Sequence, residues 1–353
     1  MAELPNKRTT IHDIAKELDI TASTVSRALK DHPRISDATK EAVLKMAKKM
    51  NYQPNSIAAA LRRGTSNLIG VMIPTVDRNF FASVVRGVED VLNNTSYNVI
   101  ICQSSDSVEK EKSNLKALLE AQVDGIFASY AKETINFDHF KDVQKRNIPL
   151  ILFDRMQNEF DVDAVVIDDY LGAFKATEHL IEQGCKRIVH FTGPENVSIY
   201  RDRRRGYEEA LTKCGLPVDE ELIISSNLKM ETGKELGREI AQWENLPDAI
   251  FSASDYAAMG AMEVFKNKGI HVPDEIAIVG FSNESFTALV DPALTTVDQH
   301  SKKMGQFTAN LFLERIKNKE TKYTPRKTVL NPELIIRKSS LKNAEVLKEL
   351  STT

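Results

Sequence analysis

Two kinds of hydrophobic pattern follow one another along the chain. In residues 10–52, apolar side chains recur three or four positions apart in three short blocks, which predicts three helices. Thr10 and Asp13 form the capping-box pattern at the start of the first helix. A tight turn at Asp19 joins the first two helices. Residues 1–53 are therefore predicted to form an all-α helix-turn-helix head.

A second pattern begins at Leu68, where apolar runs of strand length alternate with amphipathic helical stretches. This alternation is typical of parallel sheets with helices on both faces. The series contains too many strands for one small sheet, so it is predicted to divide near Asp168 into two doubly wound parallel-sheet lobes. The expected body is α/β and covers residues 67–340, followed by a tail at 341–353. The predicted strands are 68–73, 98–102, 125–128, 150–153, 164–167, 187–191, 249–252 and 276–280.

Composition narrows the class of protein. Of the 353 residues, 42% are hydrophobic and 27% charged, which is enough to bury a core and excludes a disordered chain. The first twenty residues are rich in charge and no long uncharged apolar stretch occurs, so we expect no signal peptide, no membrane span and a cytoplasmic location. The three cysteines, Cys102, Cys185 and Cys214, lack the spacing of a disulfide framework or a zinc site. No metal or cofactor is expected.

Charge is distributed unevenly along the chain. Residues 1–66 contain twelve Lys and Arg against seven Asp and Glu, a net charge of +5, whereas the remainder carries −8. A basic end favours binding to a polyanion. The second predicted helix turns Ser23, Thr24, Ser26 and Arg27 away from its apolar side. Because short hydroxyl side chains and one long donor fit against base edges and phosphates, double-stranded DNA is the expected partner.

At these residues the sequence resembles the LacI/GalR family of bacterial transcriptional regulators. The similar blocks are TIHDIA at 10–15, STVSRAL at 23–29, NYQPN at 51–55, VDGI at 123–126 and PDEIAIVGF at 273–281. The resemblance spans about residues 8–338. It implies a body like the periplasmic sugar-binding proteins, with two lobes linked by three strands and a ligand cleft between them. In the turn, Asp19 stands where the family usually has Gly; Asp tolerates a left-handed conformation better than most residues, so we expect the turn to keep its shape.

The resemblance also implies how the chain binds DNA, as a homodimer on a pseudo-palindromic operator. Residues 54–66 are implied to form a hinge helix and linker, with Leu61 wedged between base steps in the minor groove. Isolated helices shorter than about 12 to 15 residues are marginal in water, so a flexible tether is the alternative interpretation. The implied DNA-binding residues are Thr10, Ala22, Ser23, Thr24, Ser26, Arg27, Asn55, Ala58 and Leu61.

Polar and aromatic residues at the predicted strand ends define a candidate effector cleft, because ligands of doubly wound folds bind at the carboxyl ends of strands. The resemblance implies that Arg203 donates a forked pair of hydrogen bonds to the effector. Phe80 or Phe81 either stacks on a sugar ring or packs in the core. The predicted effector-binding residues are Phe80, Phe81, Ser129, Asp154, Arg203, Asp255, Ser282 and Asn283, and Asp77 and Arg155 share these strand ends.

Two matters stay open at this point. Ser282 stands where many family members have Asp, so a strong acceptor for sugar hydroxyls is missing, and the effector is expected to be a sugar, sugar acid or sugar phosphate rather than a purine. No phosphate-binding loop, dinucleotide motif, metalloprotease motif or nucleophile elbow occurs, so an enzyme is not expected. The expected function is a DNA-binding regulator, most simply a repressor, under effector control. A sugar-binding protein without a regulatory role and an architectural DNA-binding protein are the alternatives.

Overall fold

The computed structural model of the protein describes residues 9–53, 64–157, 160–318 and 324–342. The chain forms two compact units, Met1–Asn67 and Leu68–Thr353, so the division coincides with the change in hydrophobic pattern. Most of the predicted hinge and tail, including Asn55, Ala58 and Leu61, lies outside the described residues. Their assignments stay predictions.

The head unit is a bundle of three short helices. They are α1 (Ile11–Glu17), α2 (Ala22–Ala28) and α3 (Asp37–Lys49). One side chain from each helix, Ile14, Val25 and Val43, is fully buried in the shared core. The predicted capping box is confirmed, since the Thr10 backbone N–H donates to the Asp13 carboxylate at 2.8 Å.

The turn between α1 and α2 is held in a left-handed conformation. Asp19 has φ 53°, a region that most residues with a side chain avoid and that Asp tolerates. The backbone N–H of Ile20 donates to the Ala15 carbonyl at 3.0 Å and satisfies an orphan acceptor of α1. The expectation that Asp19 preserves the turn is confirmed.

The body contains two six-stranded sheets. The strands are β1 (Leu68–Ile73), β2 (Asn98–Gln103), β3 (Gly125–Ala128), β4 (Leu150–Phe153), β5 (Asp163–Ile167), β6 (Ile188–Thr192), β7 (Ile223–Ser225), β8 (Ala249–Ser252), β9 (Ala277–Phe281), β10 (Thr295–Asp298), β11 (Lys327–Leu330) and β12 (Glu333–Ile335). Lobe 1 has the strand order β11-β5-β4-β3-β1-β2 and lobe 2 the order β12-β10-β9-β8-β6-β7. All neighbours are parallel except β10 and β12. The predicted pair of doubly wound lobes is confirmed, with one antiparallel edge that the sequence pattern did not reveal.

Helices cover both sheets. They are α4 (Asn79–Leu92), α5 (Val108–Glu120), α6 (Asp138–Lys145), α7 (Asp169–Glu182), α8 (Ser198–Lys213), α9 (Met230–Ile240), α10 (Asp255–Lys268) and α11 (Ser301–Lys317). Short 3₁₀ turns occur at Glu220–Leu222, Ser285–Ala288 and Lys338–Ser340. In the described part of the chain, no helix is both long and apolar enough to cross a bilayer.

The chain passes between the lobes three times. It leaves lobe 1 after β5, returns after β10, and crosses again between β11 and β12. Helix α11 therefore belongs to lobe 1 although five strands of lobe 2 precede it. Gly87 of α4 and Gly305 of α11 allow the two helices to touch, because a Cβ at either position would collide with a backbone carbonyl of the other helix.

Candidate DNA-contact helix and effector cleft

Five of the nine residues predicted to contact DNA, Ala22, Ser23, Thr24, Ser26 and Arg27, lie on α2. Ser23 and Arg27 are exposed and four positions apart, so they share a face, while Val25 points into the head core. Ala22 and Thr24 are half-buried beside them. The Arg27 guanidinium makes no hydrogen bond or ion pair with the described residues, so its donors are available to a ligand.

Hydroxyl groups at the start of α2 form a local network. Thr21 caps the helix, and its Oγ1 accepts from the Thr24 backbone N–H at 3.2 Å. The same oxygen lies 2.8 Å from Ser23 Oγ and 2.9 Å from Thr24 Oγ1. Ser26 lies half-buried one turn further along. The network orients short polar groups on the helix end that would meet a groove, while Thr10 remains exposed at the cap of α1.

The topology of the body places a cleft between the lobes. In each sheet the first strand of the lobe lies between its second and third strands, so the direction of winding changes there and a crevice opens at the carboxyl ends. A cavity of about 30 Å³ occupies this position. It is lined by Arg78, Phe80, Phe81, Asp154, Arg155, Ile199, Tyr200, Arg203, Ala253, Ser282 and Gln299. The space suits a water molecule rather than a sugar, so a larger ligand requires the lobes to move apart.

Arg203 is held rigidly in this cavity. Its Nε and Nη2 lie 2.8 and 2.7 Å from the same oxygen of Asp169, and its Nη1 donates to the Ala253 carbonyl at 2.9 Å. The guanidinium also lies 3.7 Å from the centre of the Phe281 ring. Burial raises the pKa of Asp169 to about 7, and the Arg203 charge opposes that rise. The arrangement orients the remaining guanidinium hydrogens, but the fork predicted for the effector is already partly used by Asp169.

Asp154 and Arg155 bring opposite charges to the lobe 1 side. Asp154 adopts φ 65° directly after β4 and accepts from Ser129 Oγ at 2.9 Å. Ser129 is fully buried behind it and does not line the cavity. Arg155 donates through Nη1 to Asp106 at 2.7 Å and to the Tyr130 carbonyl at 2.5 Å. Ser129 thus positions Asp154 rather than reaching the cavity itself.

Three further predicted residues follow β8 and β9, and the structure separates them. Ser282 lines the cavity and accepts from Gln299 Nε2 at 2.9 Å. Asn283 points away, where its Oδ1 accepts from Arg337 at 2.9 Å. Asp255 is fully buried outside the lining, and it accepts from Thr296 at 2.6 Å and from the Glu284 backbone N–H at 2.8 Å. Burial raises the pKa of Asp255 to about 7. Asp255 and Asn283 therefore brace the loops that carry Ser282.

Sequence reasoning missed five lining residues: Arg78, Ile199, Tyr200, Ala253 and Gln299. Tyr200 precedes Arg203 by three positions on α8, so helical spacing from the predicted arginine is a signal that identifies it. Gln299 lies on a crossover between the lobes, which no local pattern marks.

Contacts across the mouth of the cleft join the lobes. The backbone N–H of Asn79, at the start of α4 in lobe 1, donates to the Glu284 carboxylate of lobe 2 at 3.0 Å. Helix α4 has no capping side chain of its own, so lobe 2 supplies the negative group that its N-terminus favours. The Tyr256 hydroxyl of lobe 2 donates to the Asp77 carbonyl of lobe 1 at 3.1 Å. These two hydrogen bonds therefore stabilise a closed arrangement of the lobes.

Comparison with known proteins identifies relatives of both units. The model described as bacterial regulatory proteins, lacI family, matches residues 10–55, and the model of a periplasmic binding protein-like domain matches residues 177–340. The ribose operon repressor of Halalkalibacterium halodurans is 35% identical over 88% of this chain and 91% of its own.

Solved structures extend the comparison. The ribose-bound LacI family transcriptional regulator of Enterococcus faecium superimposes with a TM-score of 0.69 and 26% identity, covering 78% of this chain and 99% of that one. The lac repressor dimer bound to operator gives a TM-score of 0.79 at 23% identity and covers 95% of this chain and all of that one. At 23% identity, the similarity to the lac repressor concerns the fold alone.

Proposed function

The chain belongs to the LacI family of bacterial regulatory proteins, and we propose that it is a repressor. It binds a pseudo-palindromic operator as a homodimer, and a sugar or sugar derivative in the cleft lowers or raises its affinity for that operator. The observation that carries the proposal is the arrangement of Arg203, Asp154 and two phenylalanines around an inter-lobe cavity, in a chain that also carries an exposed α2 face for DNA.

The chemistry of the lining supports a carbohydrate. Phe80 and Phe81 are buried, with ring centres 5.0 Å apart and planes at 79°, so one ring can present its face to a sugar while the other packs. Asp154 supplies an acceptor, and Arg203 and Gln299 supply donors. Few polar groups on an apolar wall are typical of small-molecule sites. The ribose named for the relative and for the similar structure agrees with this class.

Regulation follows from ligand-dependent movement of the lobes. A ligand shifts the lobes only if it binds one arrangement better than another. Residues 54–66 connect the head to the body, so a change in the lobes of each protomer alters the spacing at which two heads meet two half-sites. A location in the cytoplasm gives access to operator DNA.

A groove beside the C-terminal half of α10 offers a surface for the homodimer. An apolar groove of about 420 Å³ is lined by Met259, Met262, Ile270, Val272 and Val290 among others. It is larger than the cleft, but its lining contains no arginine, phenylalanine, tyrosine or tryptophan. Covering such a patch with a second copy removes apolar area from water.

The test couples ligand binding to DNA binding. A thermal-shift screen with neutral sugars, acidic sugars and purine nucleosides identifies cleft ligands, and fluorescence anisotropy then measures operator affinity with and without each one. We expect a carbohydrate to stabilise the protein and to change operator affinity. Arg203→Lys should weaken that response because it removes the planar fork, whereas Arg205→Lys on the exposed side of α8 serves as the control.

Two results would indicate a different function. A stabilising sugar that leaves operator affinity unchanged indicates a sugar-binding protein without a regulatory role. Tight binding that is equal on all duplexes and indifferent to every ligand indicates an architectural DNA-binding protein.

A further inference from the structure

The lining of the cleft is unequal in charge. Arg78, Arg155 and Arg203 reach the cavity, against a single carboxylate, Asp154. The other carboxylate that Arg203 contacts, Asp169, is not part of the lining, and neither is the Asp106 partner of Arg155. The surface that a ligand would touch is therefore mainly cationic.

One of these arginines has a donor to spare. Among the described residues, Arg155 Nε is a buried atom without a hydrogen-bond partner, and the side chain is only 5% exposed. Its distance of 3.6 Å to Asp154 Oδ2 exceeds a hydrogen bond. A buried donor left unpaired is costly, and a charged one more so. The position calls for an acceptor oxygen from a bound molecule.

Four cations act on a second residue of the cavity, Tyr200. Burial alone raises the pKa of the Tyr200 phenol, yet the charges of Lys132, Arg155, Arg78 and Arg203 bring it below its usual value. Tyr200 is 3% exposed and lines the cavity, so these charges act at the ligand position. The Lys132 Nζ lies 5.4 Å from the centre of the Tyr200 ring and adds a positive charge from outside the lining.

Ser282, which lines the cavity from lobe 2, offers a hydroxyl already bonded to Gln299 rather than a carboxylate. The Glu284 carboxylate of lobe 2 interacts electrostatically with Arg78 but lies outside the lining. A neutral sugar satisfies cationic donors poorly, because its hydroxyls carry no charge and the arginines lose hydration when the cleft closes.

We infer that the effector is an anionic carbohydrate, a sugar acid or a sugar phosphate, whose charged group lies against Arg78 and Arg155 while its ring stacks on one of Phe80 and Phe81. The inference rests on the proposed function and specifies the ligand class of the same cleft. Arg203 and Asp154 then bind hydroxyls on the ring.

The experiment compares matched ligands that differ in charge. Isothermal titration calorimetry of the full chain measures affinity for D-ribose and D-ribose 5-phosphate, and for D-glucose, D-glucuronate and D-glucose 6-phosphate. Inorganic phosphate and sulfate test whether the anion alone suffices. We expect at least one acidic member to bind about tenfold or more tightly than its neutral parent. The carboxylate and phosphate arms show which anion the site takes.

Three variants locate the effect. Arg78→Gln removes one charge at the cavity and should weaken the acidic ligand about tenfold while changing the neutral parent little. Arg86→Gln removes the same charge from the exposed side of α4 and should change neither. Ser282→Asp adds a carboxylate and should move the preference toward the neutral sugar.

The outcomes separate this inference from the proposed function. If a neutral sugar binds as tightly as its acid and phosphate forms and alters operator affinity, the anion inference is wrong and the proposed function stands. If no carbohydrate of either charge binds or alters operator affinity, both are wrong. Binding of phosphate or sulfate as tightly as of the sugar derivative would also refute the inference, because the ring would contribute nothing.

Discussion

A buried histidine makes the stability of lobe 2 sensitive to acid. His190 on β6 is fully buried, lies 4.7 Å from the Phe251 ring at 9° and 5.0 Å from the Tyr207 ring at 21°, and pairs through Nδ1 with the Phe251 carbonyl at 3.1 Å. Burial lowers the pKa of His190 to about 3. In the unfolded chain the value is about 6.5, so acid favours the unfolded state.

The magnitude follows from these two pKa values. A group with a depressed pKa in the folded state contributes stability that is complete above pH 6.5 and is lost as the pH falls toward 3. Because pH 5 lies about 1.5 units below the pKa of the unfolded state, protonation of the histidine stabilises the unfolded state by about 2 kcal/mol. We therefore expect His190→Leu to reduce the loss of stability between pH 7.5 and pH 5.0 by about 2 kcal/mol relative to the parent chain.

Other buried groups also titrate in this pH range. The useful quantity is therefore the difference in unfolding free energy between the His190→Leu variant and the parent chain. Burial lowers the pKa of His179 to about 4, which adds to the acid loss. Burial raises the pKa of Asp169 and Asp255 to about 7, so these groups bind protons on folding and contribute stability that is lost as the pH rises through 7. These opposing contributions are common to both proteins and cancel when the variant is subtracted from the parent.

Urea unfolding at pH 5.0, 6.0 and 7.5 measures the effect. Trp243, the single tryptophan, packs against the core of lobe 2 and reports its unfolding by fluorescence. His12→Gln, in the head, is the control for loss of a histidine elsewhere. If His190→Leu follows the parent curve at all three pH values, His190 is not a buried neutral histidine and the reasoning fails.

Three further predictions concern binding. Arg27→Ala should weaken operator binding by about 1 to 3 kcal/mol per half-site and relax sequence preference, and anisotropy on operator and random duplexes checks this, since equal losses indicate a phosphate contact only. Leu61→Ala should greatly weaken operator binding with effector affinity of the free protein unchanged, because the minor-groove wedge is lost; full operator affinity and full effector response by the same assays would show that 54–66 is a tether. Glu284→Gln should tighten effector binding about threefold to tenfold in calorimetry, because the closed arrangement loses the negative charge at the α4 N-terminus and opens more readily for a ligand, and unchanged affinity would show that this contact does not hold the lobes closed.

Most of the body's strands could be predicted because they are buried on both faces. The runs at β1, β3, β4 and β8 are almost continuously apolar, and their predicted bounds agree with the structure. Strand β10, with the sequence TTVD, reads as polar although three of its four residues are buried. The remaining missed strands, β7, β11 and β12, are short and half-exposed at sheet edges, where the apolar signal fades.

The candidate site was predicted best where one rule applied. The rule that ligands meet strand ends selected Phe80, Phe81, Asp154 and Ser282, and the structure brings all four to one cavity. The rule selects positions in the chain but not the directions of side chains. Asp255 also follows a strand, yet hydrogen bonds turn its carboxylate toward the loops, and only coordinates reveal such orientation.

The three crossings of the chain determine when this protein can fold during synthesis. The sheet of lobe 1 is completed by β11 and its helical layer by α11, so the first half of the body waits for residues made last. At 5–20 residues per second, the interval from Leu68 to Leu330 lasts roughly 10 to 50 s. Within that interval the nascent lobe exposes the face of α4 until α11 is made, and the edge of β5 until β11 is made. A premature stop before Lys327 therefore leaves each sheet one strand short, and the exposed strand edge and helix face are surfaces of the kind that chaperones bind.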